Sequence, residues 1–100
     1  MRAEESTARG TAASTALAHQ GLDQLTRRER EVLLLLADGL GNRQLARELG
    51  IAERTVRAHL ASVIQKLGVQ SPLQAALVGD RCRSIIRSGI ATEEGIADYR

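Results

Sequence analysis

The sequence has almost no aromatic residues: Tyr99 is the only one among its 100 residues. Proteins that bind single-stranded nucleic acid usually stack the bases on aromatic side chains, so this chain is a poor candidate for that class. Cys82 is the only cysteine, which excludes an internal disulfide and a zinc site built from several cysteines. The composition therefore argues against two common kinds of binding site before any motif is considered.

Long apolar runs are also missing, and none approaches the roughly 20 residues that a membrane-spanning helix needs. The amino-terminal stretch lacks the cationic and then apolar pattern of a secretory signal, so we expect a cytoplasmic protein with no membrane partner. A chain of 100 residues, 43% of them hydrophobic, has room for one small domain. The formal net charge of +2 is too small to indicate a polyanionic partner, because the distribution of charge decides that question.

The sequence divides into three segments. Residues 1–20 are rich in alanine, serine, threonine and glycine and contain few large apolar side chains, so they are predicted to form a flexible arm or linker. Residues 21–79 carry repeated helix-start and helix-stop signals, which predict an all-α domain of four helices. Residues 80–100 are predicted to be a carboxyl-terminal extension. Residues 80–88 are expected either to prolong the fourth helix or to form a separate turn that ends at Gly89, and the last ten residues to be loosely ordered.

Local signals predict where the first two helices begin and end. Thr26 and Glu29 have the spacing of a capping box, in which each side chain accepts a hydrogen bond from the other residue's backbone amide. A helix should therefore begin directly after Thr26, and Gly39 is expected to end it. A shorter helix is predicted over residues 42–49, with Gly50 as its left-handed stop.

The third helix, predicted over residues 53–67, is the stretch on which the functional interpretation depends. Only three residues separate it from the second helix, and so tight a connection makes two helices cross steeply, as in a helix-turn-helix. Its outer side suits the acceptor-rich major groove of DNA, and a solvated charged face is the alternative. Helical spacing assigns Val56, Leu60, Val63 and Leu67 to the buried side and Arg54, Arg57, Ala58, Ala61 and Gln65 to the outer side.

A fourth helix is predicted to begin at Ser71, because serine is a good N-cap and Pro72 suits the first helical position. Apolar residues follow at helical spacing and continue into the carboxyl-terminal segment. An apolar edge of this kind often marks a partner surface. The apolar face of the fourth helix consists of Leu73, Ala76 and Leu77, and the edge beyond it of Leu77, Ile85 and Ile86.

Between residues 25 and 77 the sequence contains, in order, LTRREREVL, ADGLGN, LARELGI, TVRAHL followed by KLGV, and QAAL. With these elements in this order, residues 25–77 resemble the LuxR-type DNA-binding domain, a four-helix unit at the carboxyl end of many bacterial transcription regulators. The resemblance implies a transcription regulator that binds double-stranded DNA through its third helix and pairs two subunits through its fourth, on an inverted repeat. The apolar edge beyond the fourth helix is then expected to extend the dimer contact or to pack on another domain. No cofactor is expected.

The resemblance also implies roles for individual residues. Arg57, Ala58 and Ala61 match positions that meet base edges, and arginine can bond guanine in bidentate fashion. Geometry alone adds Arg54 and Arg43, for which a solvated side chain is the alternative. The predicted base contacts are Arg54, Arg57, Ala58 and Ala61; the predicted phosphate contacts are Asn42, Arg43, Thr55, Gln65 and Lys66; the predicted dimer residues are Leu73, Ala76 and Leu77.

Three positions depart from the residues that are usual in this family. Gly41 stands where relatives have a hydroxyl residue to cap the second helix, a change that costs about a few tenths of a kcal/mol. Ala52 stands where a serine commonly caps the third helix, and that loss approaches ~1 kcal/mol. Pro72 replaces a common arginine near the dimer helix, which removes a charge without harming the helix start.

Several polar residues invite an enzymatic or metal-binding interpretation that the sequence does not support. His59 has no second ligand four residues on, so a partly buried structural imidazole is expected. A nucleophilic pair of Cys82 with a histidine would need an orienting third group and a pocket, so no catalytic site is expected. Glu29 and Glu31 are interpreted as a helix cap and as solvated ion pairs with neighbouring arginines.

Two other functions remain open from the sequence. One is a promoter-recognition module that resembles region four of a sigma factor and acts within RNA polymerase. The other is a helical adaptor that binds protein through its third or fourth helix. Family members often carry a phosphoacceptor or ligand-sensing domain ahead of the helices, and residues 1–20 are too short for either. The chain is therefore expected to be a stand-alone regulator or part of a larger one.

Overall fold

The computed structural model describes residues 21–98, with side chains described through residue 90. The arm predicted over residues 1–20 lies outside these residues. The described part of the chain is helical and contains no strand, in agreement with the all-α prediction. Its five helices are α1 (Arg27–Ala37), α2 (Asn42–Leu49), α3 (Glu53–Leu67), α4 (Pro72–Arg81) and α5 (Arg83–Asp98).

The predicted starts and stops of the first helices are confirmed. The amide of Glu29 donates to Thr26 Oγ1 at 3.1 Å, and the amide of Thr26 donates to Glu29 Oε1 at 2.9 Å. This reciprocal pair satisfies two free donors at the start of α1. Gly50 ends α2 with a φ of +66°, a conformation that glycine adopts without strain. The chain can then turn into α3 within three residues.

Helix α1 is the centre of the bundle, because each of the other four helices packs on it. One cluster of buried side chains lies between α1, α2 and α3 and fixes the crossing of the helix-turn-helix. A second cluster lies between α1, α3, α4 and α5. The first cluster consists of Val32, Leu45, Val56 and Leu60. The second consists of Leu22, Leu25, Leu33, Val63, Leu67, Ala75, Cys82 and Ile86.

The prediction that a helical turn ends at Gly89 is wrong, because α5 continues through Gly89 as far as Asp98. The glycine has a packing role instead. A Cβ at this position would lie 2.9 Å from Cζ of Arg30, which is closer than side-chain atoms normally approach. The absence of a Cβ at Gly89 therefore leaves room for the end of the Arg30 side chain of α1 to lie against α5. The tail predicted to be loosely ordered is helical from residue 91 to residue 98.

Only part of the apolar edge predicted beyond α4 is exposed, because the packing of α5 buries one of its residues. Ile86 is fully buried in the second cluster, whereas its neighbour Ile85 is 48% exposed. Arg83 fixes the start of α5, since Nη1 donates to Asp38 Oδ1 at 2.6 Å and Nε donates to Asp80 Oδ1 at 3.0 Å. The first turns of α5 thus belong to the same folded unit as α1 and α4. None of the helices over residues 21–98 combines the length and hydropathy needed to cross a bilayer.

The docking of α5 can be tested with two neighbouring isoleucines. Replacing Ile86 with valine should lower the free energy of unfolding by about 0.5–1.5 kcal/mol, because a buried methylene is lost. Ile85→Val carries the same change in helix propensity, and an effect within about 0.5 kcal/mol is expected at this exposed position. Urea denaturation followed by circular dichroism measures both. Equal effects of the two substitutions would show that α5 does not pack on α1 in solution.

Candidate nucleic-acid interface

Helix α3 is attached to the bundle along one side only. The four residues predicted to form its inner side, Val56, Leu60, Val63 and Leu67, are all buried. All five predicted outer residues are exposed, and they form a continuous strip along the helix. His59 is half-buried at the border between the two sides. The exposed strip consists of Arg54, Arg57, Ala58, Ala61 and Gln65.

One acidic residue, Glu53, borders this strip, and its position was not predicted from the sequence. Glu53 is the first residue of α3, and its Oε2 lies 3.4 Å from Nη1 of Arg57. The spacing of four residues is the signal that could have revealed the pair. An exposed pair of this kind contributes only about 0.3–0.5 kcal/mol, so the Arg57 guanidinium can exchange it for another acceptor.

Lys66, predicted to contact phosphate, lies at the edge of α3 that faces the start of α1. Its Nζ donates to Glu29 Oε1 at 2.7 Å, and Ser62 Oγ donates to Glu29 Oε2 at 2.5 Å. Glu29 caps α1, as predicted. The prediction that its ion pairs are solvated is wrong, because Glu29 is only 5% exposed. This carboxylate connects the first turn of α1 to the carboxyl-terminal half of α3.

The network around Glu29 holds its carboxyl in the charged form. Burial raises the pKa of Glu29, but the hydrogen bonds from Lys66, Ser62 and the Thr26 amide outweigh this effect and lower it from 4.5 to about 2. A carboxylate that accepts several hydrogen bonds and faces an ammonium group is stabilised against protonation. The orientation of α3 relative to α1 therefore depends on a charged contact as well as on the apolar clusters.

The amino-terminal ends of α2 and α3 have no side-chain caps. Gly41 has no side chain to bond the first amides of α2, although its own amide donates to Gln44 Oε1 at 3.1 Å. Ala52 makes no capping hydrogen bond at the start of α3. Helix ends with free amides attract phosphate groups. Asn42 and Arg43, predicted to contact phosphate, lie in the first turn of α2, where Asn42 is half-buried and Arg43 is exposed.

A hydroxyl cap at the start of α3 should stabilise the protein. We expect Ala52→Ser to raise the free energy of unfolding by about 1 kcal/mol, because serine can accept a hydrogen bond from a free amide of the first turn. The matched change Gly41→Ser should add only about a few tenths of a kcal/mol, since glycine is already a fair N-cap. Thermal and urea unfolding measure both variants. No gain from Ala52→Ser would mean that those amides already have partners.

The three residues predicted to form the dimer contact lie on α4. Leu73 is 71% exposed and Leu77 is 53% exposed, while Ala76 is half-buried. They border an open apolar groove that is completed by Leu36 and Leu40 of the α1–α2 region. Exposed leucines beside such a groove form a surface suited to another protein chain.

Comparison with known proteins agrees with this geometry. The family model GerE, "Bacterial regulatory proteins, luxR family", matches residues 23–78. The nitrate/nitrite response regulator protein NarL of Escherichia coli (strain K12) is 40% identical over 65 residues, which cover 65% of this chain and 30% of NarL. The transcriptional regulatory protein UhpA of the same strain is 43% identical over 54 residues, covering 54% of this chain and 28% of UhpA.

A solved structure, described as the low-resolution structure of response regulator StyR, matches with a TM-score of 0.59 and 40% sequence identity. The match covers 79% of this chain and 38% of that one. The chain thus spans about a third of the length of these regulators. Because the family model covers more than half of the chain, including α1 to α3 and most of α4, the resemblance seen in the sequence is confirmed. The chain belongs to the luxR family of bacterial regulatory proteins, and residues 23–78 are its helix-turn-helix domain.

Proposed function

We propose that this chain binds double-stranded DNA in a sequence-specific manner, with α3 in the major groove, and regulates transcription as a dimer on an inverted repeat. One observation carries the proposal. Four of the five large apolar residues of α3 are buried, whereas its two arginines and two alanines are exposed on the other side. A helix held in this way can enter a groove about 12 Å wide without disturbing the core.

Residues of the exposed strip would make two kinds of contact with bases: hydrogen bonds and apolar contacts. Arg57 would bond guanine in bidentate fashion, as arginine commonly does, and Ala58 and Ala61 are small enough for methyl contact with thymine. Arg54 is exposed on the same side and would contact a neighbouring base edge. These four side chains would read the sequence directly. The shape and deformability of the duplex would contribute the rest of the specificity.

Phosphate groups would be held by residues other than the four that read bases. These are Asn42 and Arg43 at the start of α2 and Thr55 and Gln65 on α3, of which Gln65 belongs to the exposed strip. Lys66 keeps a phosphate role in this proposal, since an ammonium group has three N–H donors and the side chain, although paired with Glu29, is 29% exposed. Such contacts fix the orientation of a protein on the duplex without carrying sequence information.

The dimer would form through α4. Leu73 and Leu77 are exposed beside the groove that Leu36 and Leu40 complete. A two-fold axis at this surface would pair each leucine face with its copy, and it would place two α3 helices on successive turns of the duplex.

Selection of binding sites from random duplex DNA by the 100-residue chain tests the proposal. The expected result is an inverted repeat whose half-sites lie about 10 base pairs apart, or a multiple of that. Binding to the recovered site should weaken steeply as salt rises, because phosphate contacts release counterions. Recovery of single half-sites would contradict the dimer. Recovery only with RNA polymerase present would favour a sigma-like module, and failure to recover any site would favour a protein-binding adaptor.

A further inference from the structure

The recognition helix α3 begins with a carboxylate beside its principal arginine. Glu53 and Arg57 lie one turn apart on the same edge of the helix, with Oε2 of Glu53 3.4 Å from Nη1 of Arg57. Both side chains are exposed. The amino-terminal residues of a recognition helix are those that usually reach base edges, so this pair lies where sequence is read.

The pair contributes little to stability, since exposed ion pairs at this spacing are worth only about 0.3–0.5 kcal/mol. Its effect on DNA would be larger. A carboxylate has only acceptor atoms, so it is repelled by phosphates and by the O6 and N7 acceptors of guanine. Cytosine differs from the other bases, because its major-groove edge offers the N4 amino group without a neighbouring N7 or O4 acceptor.

We infer that Glu53 is a second specificity-determining residue of α3, which selects a cytosine next to the guanine bound by Arg57. This inference rests on the proposed DNA-binding function. The carboxylate has two oxygens, one of which faces Arg57 and the other of which can accept from cytosine N4. The contact with Glu53 occupies one end of the guanidinium, and its remaining N–H groups stay available to guanine O6 and N7.

Site selection with Glu53→Gln tests the inference. Glutamine pairs with adenine through N6 and N7, so the preferred base should change from cytosine to adenine at one position per half-site. The relative affinity for the cytosine-containing site should fall about tenfold. Glu48→Gln on α2 is the matched control, because it removes the same charge from another exposed glutamate. This control should leave the selected sequence unchanged, although both variants bind all DNA somewhat more tightly.

Glu53→Ala provides an independent second variant. It should lose the preference for cytosine without gaining one for adenine, because alanine can form neither hydrogen bond. An unchanged base preference in both Glu53 variants, alongside a normal wild-type selection, would overturn the inference and leave the proposed function standing. Failure of the wild-type chain to select any sequence would overturn the proposed function itself, and the two failures are thereby distinguished.

Discussion

Replacing Glu29 with glutamine is expected to lower the free energy of unfolding by about 3 kcal/mol at pH 7. The amide keeps the shape of the side chain and can still accept from Thr26, but it leaves the Lys66 ammonium facing a neutral group at 2.7 Å. The Glu29 side chain is 6% exposed and that of Lys66 is 29% exposed, so removing the carboxylate leaves a cation that water hydrates only in part. Urea denaturation measures the loss, with the exposed Glu48→Gln as a control that should change stability by less than about 0.5 kcal/mol.

The effect of Glu29→Gln should also depend on pH. The pKa of Glu29 is lowered from 4.5 to about 2 in the folded protein, so its contribution is fully present above the unfolded pKa. The contribution is then lost as the pH falls from about 4.5 towards 2. The difference in stability between the wild type and the variant should therefore shrink over this range. A difference that stays constant down to pH 2 would contradict the role given to this carboxylate.

Replacing Arg57 with alanine is expected to reduce affinity for the preferred DNA site by about 1–3 kcal/mol per half-site. That loss corresponds to roughly 5- to 150-fold per half-site, and it should be confined to sites that contain the guanine read by Arg57. Stability should hardly change, because the side chain is exposed and its ion pair with Glu53 is weak. Titration of the variant against the preferred site and against sites with that base changed separates specific from general loss.

Arg43→Ala is the matched comparison for Arg57→Ala. It removes the same charge at a predicted phosphate contact, so it should weaken binding to all sequences alike and reduce the salt slope by about 1. Lys66 is less suitable for this purpose, because its removal would also break the contact with Glu29. If Arg43→Ala and Arg57→Ala affect every sequence equally, the proposed division between phosphate and base contacts is wrong.

The parts of the fold that depend on neighbouring residues could be predicted from the sequence. The capping box of Thr26 and Glu29, the glycine stop at Gly50 and the inner side of α3 all follow from spacings of a few residues. The same local patterns define the exposed strip of α3. The candidate base contacts could therefore be identified before the packing was known.

Contacts between distant residues could not be predicted in this way. The hydrogen bonds of Ser62 and Lys66 to Glu29 join residues that are 33 and 37 positions apart, and nothing local in the sequence indicates them. The same reason explains the error at Gly89, where a residue typical of helix ends is used for close approach to Arg30. Helical spacing likewise could not tell which of Ile85 and Ile86 would be buried, because that depends on the direction from which α1 approaches α5.

The attachment of α3 along a single side has a consequence for how such a protein can change during evolution. Its outward residues take no part in either buried cluster, so under the proposed function substitutions among them would alter the preferred DNA sequence at little cost to folding. Substitutions in helix α1 are expected to cost more stability, because all four other helices pack on it and one change there disturbs several contacts. New target sequences are therefore expected to arise through the outer surface of one helix, while the scaffold beneath it is retained.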